Sequence, residues 1–280
     1  MASAQINVMI MAKNNEKSNT PPVVSALRQC EISNGAFASA RSLVLGEGIM
    51  WDGIGALSEK SLHKIIKLYF EPRHEMHEIS YLGSVTDIKN EGGIIEVQTR
   101  GYEKLLPRLK KFLPTDKVTV ICPLAYVKYM RWLNTETGEM SERRKSPKSE
   151  GVYDALRLLF GIREVIPDNN LDIRLLFLEV DDFRSLNGCG KDKKKRSTRI
   201  ERLPNKIMYD VCLHSLEDYV SLVPDSLGDS FTVADFSKAI KRTTRFTFYV
   251  LKALESIGAI CESGKIGRAR AYSRKVEKAE

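Results

Sequence analysis

The sequence predicts a mixed α/β protein that closes with a helix-turn-helix and a basic hairpin. Three observations predict it: a glycine-centred β-hairpin at 81–100, apolar runs alternating with amphipathic stretches up to residue 180, and two closely spaced helical patterns after residue 230. The 280 residues are 42% apolar, enough to bury a core in one large or two smaller domains. We expect a loosely structured extension over 1–56, an α/β domain over 57–203 and a helical domain over 204–280.

The first 56 residues mix Asn, Ser, Ala and Gly around Pro21-Pro22 without a sustained period, and Met50 leaves open a natural start there. Ser58 is a fitting N-cap for a helix over 58–70, with Leu62, Ile65, Ile66, Tyr69 and Phe70 as its apolar stripe and Pro72 beyond it. Glu59 borders that stripe. It either reaches a site at the sheet edge or simply favours the first-turn dipole.

The hairpin at 81–100 (YLGSVTDIKNEGGIIEVQTR) turns on Asn90-Glu91-Gly92-Gly93, where Asn and Gly supply the positive φ of a short loop. Closing on that loop pairs Lys89 with Ile94, Ile88 with Ile95, Asp87 with Glu96 and Val85 with Gln98. By the two-residue period of a strand, Glu96, Gln98 and Arg100 share one face, turned toward Asp87. Like charges opposed across a ladder are destabilising, so the pair is expected to serve as a hard oxygen site for Mg²⁺ or Mn²⁺, unless it is an ordinary solvated face.

Further along, 102–113 reads as an amphipathic helix, 117–122 as a short buried strand and 126–134 as another strand before a turn at 135–138. Residues 152–160 read as a helix and 173–180 as a central strand. Two basic segments interrupt this core: 141–151, with Arg143, Arg144, Lys145 and Lys148, and 191–202, with Lys191, Lys193, Lys194, Lys195, Arg196, Arg199 and Arg202. With only Asp192 and Glu201 among them, the seven cations of the second repel one another unless an anion is present, which suits phosphate contacts.

Residues 208–223 read as a helix, 231–240 as another, and 243–257 as a third closed by Gly258. The short connection between the last two is a helix-turn-helix arrangement. A strand at 259–261, a turn at 262–267 and a strand at 268–274 complete a basic hairpin.

Net charge of +8 and a sequence pI near 9.1 favour an anionic partner, nucleic acid being the commonest. Five scattered cysteines without a C-x-x-C pair argue for a reducing compartment, against a disulfide framework and against structural zinc. No apolar run has the length of a membrane span, and 6–11 is too short for a signal core, so we expect a cytoplasmic protein that does not engage a membrane. His63, His74 and His77 lack the spacing of a metal cluster, and no phosphate-binding glycine loop or nucleophile triad is present.

The Asp87 and Glu96-Val97-Gln98 pattern, preceded by the helix with Glu59, resembles the PD-(D/E)XK nuclease superfamily over about residues 57–180. Gln98 stands where that family usually has Lys, a variant known within it. The resemblance implies a restriction-endonuclease-like mixed sheet and a Mg²⁺- or Mn²⁺-dependent deoxyribonuclease. Asp87, Glu96 and Glu59 would hold the metal and Gln98 would orient water or phosphate. The charge of the usual lysine would fall to Arg100, Lys104 or the metal alone.

The last segment resembles a winged helix-turn-helix domain. Thr243, Thr244, Arg245 and Thr247 would start the DNA-reading helix, with Lys265, Arg268 and Arg270 on the wing and Lys193, Lys194, Lys195 and Arg196 adding phosphate contacts. As a whole, 55–275 is similar to a family of uncharacterised bacterial proteins joining such a core to a winged helix. The rival expectation is a non-catalytic DNA-binding regulator that keeps the fold. A homodimer or a partner subunit stays open.

Overall fold

The computed structural model describes residues 27–46, 61–134, 137–185 and 197–275. In chain order the first part comprises α1 (Asn34–Gly46), α2 (Ser61–Phe70), β1 (His77–Tyr81), β2 (Ser84–Asn90), β3 (Gly93–Val97), α3 (Leu106–Phe112), β4 (Val118–Leu133) and β5 (Arg144–Lys145). It continues with α4 (Val152–Leu159), β6 (Leu171–Ser185) and β7 (Thr198–Leu213). The second part comprises α5 (Leu216–Val220), β8 (Phe231–Thr232), α6 (Val233–Ile240), α7 (Thr244–Ile257), β9 (Ile260–Ile266) and β10 (Ala269–Arg274). The fold is mixed α/β.

The large sheet runs β1-β2-β3-β4-β6-β7, with β5 beside β4. Its two parallel pairs, β3 with β4 and β4 with β6, each need a crossover, which α3 and α4 supply. Side-chain alternation then assigns the faces. Val120, Cys122 and Leu124 of β4 pack toward α3 and α4, whereas Ile121 and Ala125 pack toward α1 and α2. The apolar run of β6 is buried on both sides, because Ile173 and Leu175 serve the first face and Leu176 and Leu178 the second.

Several elements differ from the sequence expectation. The two strands expected at 117–122 and 126–134 are one strand, β4, with a register shift between Ala125 and Val127. Instead of a helix over 208–223, β7 reaches Leu213 and only the short α5 follows. Apolar residues at 207, 208, 209, 211, 212 and 213 satisfy either state locally, and antiparallel pairing with β6 decides for the strand. That strand also contains the expected domain boundary at 203–204. In the stretch expected to be loose, α1 places Phe37, Ala40 and Val44 in the core beside α2, a helical spacing diluted by the surrounding Ala and Ser. The helix expected at 102–113 is a 3-10 turn, Tyr102–Lys104, followed by α3, which has Pro107 in its first turn.

The second part is not an appended bead. Leu156 and Leu159 of α4 belong to the same buried cluster as Val250, Leu251 and Leu254 of α7 and Phe231 and Phe236 around α6. Its helices are well capped. Thr232 and Asp235 form a reciprocal box at α6, Thr243 caps α7, and Gly258 closes α7 in the left-handed region.

The β2–β3 turn rests on Gly93, whose φ is +120°; a Cβ there would lie 2.3 Å from the Lys117 carbonyl oxygen. Gly93→Ala should therefore lower stability by ~1–3 kcal/mol or more. Gly92→Ala, where the added carbon meets only the Asn90 side chain at 3.3 Å, should cost less. Denaturant midpoints of the two variants check the difference.

Candidate functional site

The hairpin has the register read from its loop as far as the pairs Asn90–Gly93, Lys89–Ile94 and Ile88–Ile95. There the ladder ends. A continued ladder would give the Val97 amide to the Thr86 carbonyl, but Val97 N donates to Asp87 Oδ2 at 2.8 Å. Thr86 stays with β1, opposite Ile79. Arg108 of α3 spans the opening, donating from Nη1 to the Val85 carbonyl and from Nη2 to Glu96 Oε2, each at 2.8 Å. The expected ladder pairs Asp87–Glu96 and Val85–Gln98 do not form, because a side chain replaces the backbone acceptor one residue early.

This opening changes how the two carboxylates are placed. Glu96 is fully buried and takes its ionic partner, Arg108, from α3. Asp87 takes His63 Nε2 of α2 at 3.1 Å. The two carboxylates thus draw their partners from helices on opposite sides of the sheet, and the directly opposed ladder pair expected to set them face to face is absent. Among the described residues each keeps one oxygen without a hydrogen-bond partner, Oδ1 in Asp87 and the buried Oε1 in Glu96.

The two groups are nevertheless coupled. Burial, and then the negative charge of Asp87, push the Glu96 carboxyl up to about 8, against the opposing pull of Arg108. Burial also acts to raise Asp87, but the His63 hydrogen bond and charge, the Val97 amide and Lys67 hold it below the usual carboxylate range. A pair driven apart in this way offers one firmly ionised carboxylate beside one that holds its proton more tightly, and a bound cation would favour its release.

Among the described residues no three His, Cys, Asp or Glu side chains converge as a metal cage. Glu59 lies outside the described residues. Two carboxylates with an unbonded oxygen apiece still fit the donor set of Mg²⁺, which usually takes one or two carboxylates from protein and fills the rest of its shell with water and phosphate. Gln98 Nε2 donates to the carbonyls of Arg100, at 2.5 Å, and Gly101, at 3.3 Å, so the amide also braces the turn after β3.

Beyond the end of β3 and beside Pro123 and Leu124 of β4 lies a cavity of about 640 Å³. Its walls include His63, Val97, Gln98, Arg100, Glu150, Asp154, Arg157, Arg199 and Arg202. His63 is the site residue that the sequence pattern does not single out from the other histidines. Its place one helical turn after Glu59 was the available signal. Lys104, the other cation considered near Gln98, does not line this cavity.

The basic segment is less naked than its composition suggests. Fully buried Asp182 of β6 receives Arg184, Arg199 and Arg202, so a carboxylate from a neighbouring strand neutralises part of the run. Lys193, Lys194, Lys195 and Arg196 lie outside the described residues. In the second part, Thr244, Arg245, Lys265 and Arg268 are exposed, and Thr243 caps α7 through the Phe246 amide. Thr247 is corrected: it is fully buried and donates to the Thr243 carbonyl, so it cannot read a partner. Arg270 lies 3.4 Å from Glu262 and 4.0 Å from Glu255. No helix among the described residues is long and apolar enough to cross a membrane.

Comparison with known proteins adds two findings. The profile of a family described as "Domain of unknown function (DUF8091)" matches residues 60–214, which contain α2, the whole large sheet and the cavity. An uncharacterized protein of Treponema pallidum (strain Nichols) is 26% identical over 222 residues, covering 79% of this chain and 87% of its own length. No solved structure matches.

The Glu96 shift has a consequence for stability. Between the ordinary carboxylate value and about 8 the folded chain holds a proton that the unfolded chain has lost, so this group makes stability fall as pH rises through that window. Asp87 acts in the opposite sense, contributing stability that is lost on acidification. Glu96→Gln should flatten the decline on the approach to about pH 8 and make the variant more stable than wild type there. Thermal midpoints against pH check it; parallel curves would contradict the shift.

Proposed function

Given that the chain belongs to the family described as Domain of unknown function (DUF8091), we propose that it is a metal-dependent endonuclease acting on DNA. The observation that carries this reading is the coupled pair Asp87 and Glu96, each with an unbonded oxygen, beside a cavity lined by guanidinium groups. Asp87 and Glu96 would hold Mg²⁺ or Mn²⁺, with Glu59 as a further ligand. Such an ion, when bound, activates water and neutralises developing charge on phosphate. His63 orients the Asp87 carboxylate, and Arg108 fixes the Glu96 carboxylate while it is desolvated. With its Nε2 tied to the turn, Gln98 is left with an amide oxygen to accept a hydrogen bond from water and so orient it, and Arg100 supplies the cation that a lysine at position 98 would have carried.

The second part supports a nucleic-acid reading. Its order of helix, strand, helix, helix and two-strand hairpin resembles a winged helix, and Thr244, Arg245, Lys265 and Arg268 are exposed on it. A second reading, a DNA-binding regulator without catalysis, is favoured by the Arg108 guanidinium already held against the Glu96 carboxyl. The two differ in what Mg²⁺ does: a regulator binds DNA equally with metal or chelator and leaves it intact.

Plasmid nicking with Mg²⁺ or Mn²⁺ tests the catalytic reading. Asp87→Ala and the isosteric Glu96→Gln should each lower cleavage by at least ~10²-fold, with DNA retention nearly unchanged. Gln98→Lys should keep or raise activity. Cleavage no greater in wild type than in Glu96→Gln would leave the regulator as the better account.

Removing Lys265, Arg268 and Arg270 together should flatten the slope of log affinity against log salt by roughly two to three, because fewer counterions are displaced. An unchanged slope would mean that this hairpin faces something other than DNA.

A further inference from the structure

The four arginines around the cavity are not equivalent. Arg199 and Arg202 are tied to Asp182. Arg100 and Arg157 come from separate segments, are exposed, and have no ionic partner among the described residues. The acidic groups on the same wall are already engaged: Glu78 with Lys67, Asp154 with Arg242, Glu150 with the Ala125 amide, and Glu201 with the Arg202 amide. Two unpaired guanidinium groups therefore converge on one cavity whose carboxylates are satisfied elsewhere. That leaves positive charge for an anion that is not part of the fold.

Arg157 and Leu158 of α4 also line a second cavity, of about 930 Å³, between the turn Phe160–Ile162 and the start of α7. Its walls are aromatic. Phe160, Phe246 and Tyr249 contribute, with Phe160 and Tyr249 in edge contact at 6.2 Å between centroids and Tyr249 40% exposed. Arg157 lies 5.6 Å from the Phe246 ring. One residue thus belongs to a guanidinium-lined cavity on one side and an aromatic groove on the other.

We propose that these two cavities, adjacent across Arg157 and Leu158, take a single DNA strand, its phosphates at Arg157 and Arg100 and its bases against Phe246 and Tyr249. Guanidinium groups follow a phosphate backbone whether or not it is paired, whereas an aromatic face gains energy only from a base that is not already stacked inside a duplex. The alternation of the two along one path therefore selects an unpaired strand. This deepens the nuclease reading by naming the form of the substrate: a single-stranded or frayed segment enters beside Asp87 while the second part holds what lies beyond it. It rests on the nucleic-acid half of that reading and not on cleavage.

Fluorescence anisotropy of a labelled oligothymidylate and of the same strand paired with oligodeoxyadenylate, on the full chain in EDTA, tests the inference. The single strand should bind about tenfold more tightly or better, and Tyr249→Ala should weaken it about tenfold while changing the duplex little. Arg157→Gln should weaken single-strand binding and reduce its salt slope by about one, with Arg157→Lys keeping the slope. Thermal melts establish that each variant is folded. Equal or tighter duplex binding, or a Tyr249→Ala effect that is absent or the same on both forms, overturns the proposal. Because metal is withheld, these outcomes are separate from nicking: cleavage with a duplex preference would sink the single-strand inference alone, and single-strand binding without cleavage would sink the catalytic reading alone.

Discussion

The arrangement around Asp87 depends on one substitution of acceptors, in which a carboxylate oxygen takes the place of a backbone carbonyl opposite the Val97 amide. A buried amide must be satisfied, and once Asp87 satisfies it, β2 is released from β3 after Ile88. The gap is wide enough for a guanidinium. Arg108 enters from α3 and answers both the stranded Val85 carbonyl and the buried Glu96 carboxylate. Loss of this one contact would leave an amide without an acceptor and the Asp87–His63 pair without its anchor.

The same opening makes the site electrostatically uneven. A fully buried carboxylate next to an ionised one is costly in a medium that screens poorly, and a single arginine offsets only part of that cost. Folding tolerates this imbalance because the surroundings are rigid: Ile94 and Val97 on either side of Glu96 are buried in the two separate cores. A contrasting solution appears in β6 and β7, where one buried aspartate collects three arginines from its own and the adjoining strand. One location is short of positive charge and the other concentrates it, and a cavity lies between them.

The two parts of the chain are joined through α4. Its inner face supplies Leu156 and Leu159 to the core shared with α7, and its outer edge presents Arg157 to both cavities. A partner held by the second part is therefore positioned relative to the large sheet by packing and not by a flexible linker. The family match over residues 60–214 covers α4 but stops before α6 and α7, so the aromatic groove is formed where the matched segment meets a following one.

The amino-acid sequence by itself determined the hairpin turn and its first three pairs, since Asn90, Gly92 and Gly93 admit few loop conformations and the β-branched residues on either side alternate. It likewise determined α2, α4, the central strand and the capped helices of the second part, because periodicity, Thr caps and Gly258 are local signals. Residues 208–213 remained ambiguous, as an apolar run reads equally as helix or strand until β6 offers its edge. The tertiary structure alone decided that Asp87 turns to the Val97 amide, that Thr247 is buried, that Asp182 neutralises distant arginines, and that Arg157 joins two cavities. Each of these is a contact between residues far apart in sequence, or a choice between a side-chain and a backbone acceptor. Local pattern carries information about the period of a strand or helix, but none about which distant group will satisfy a buried charge or amide.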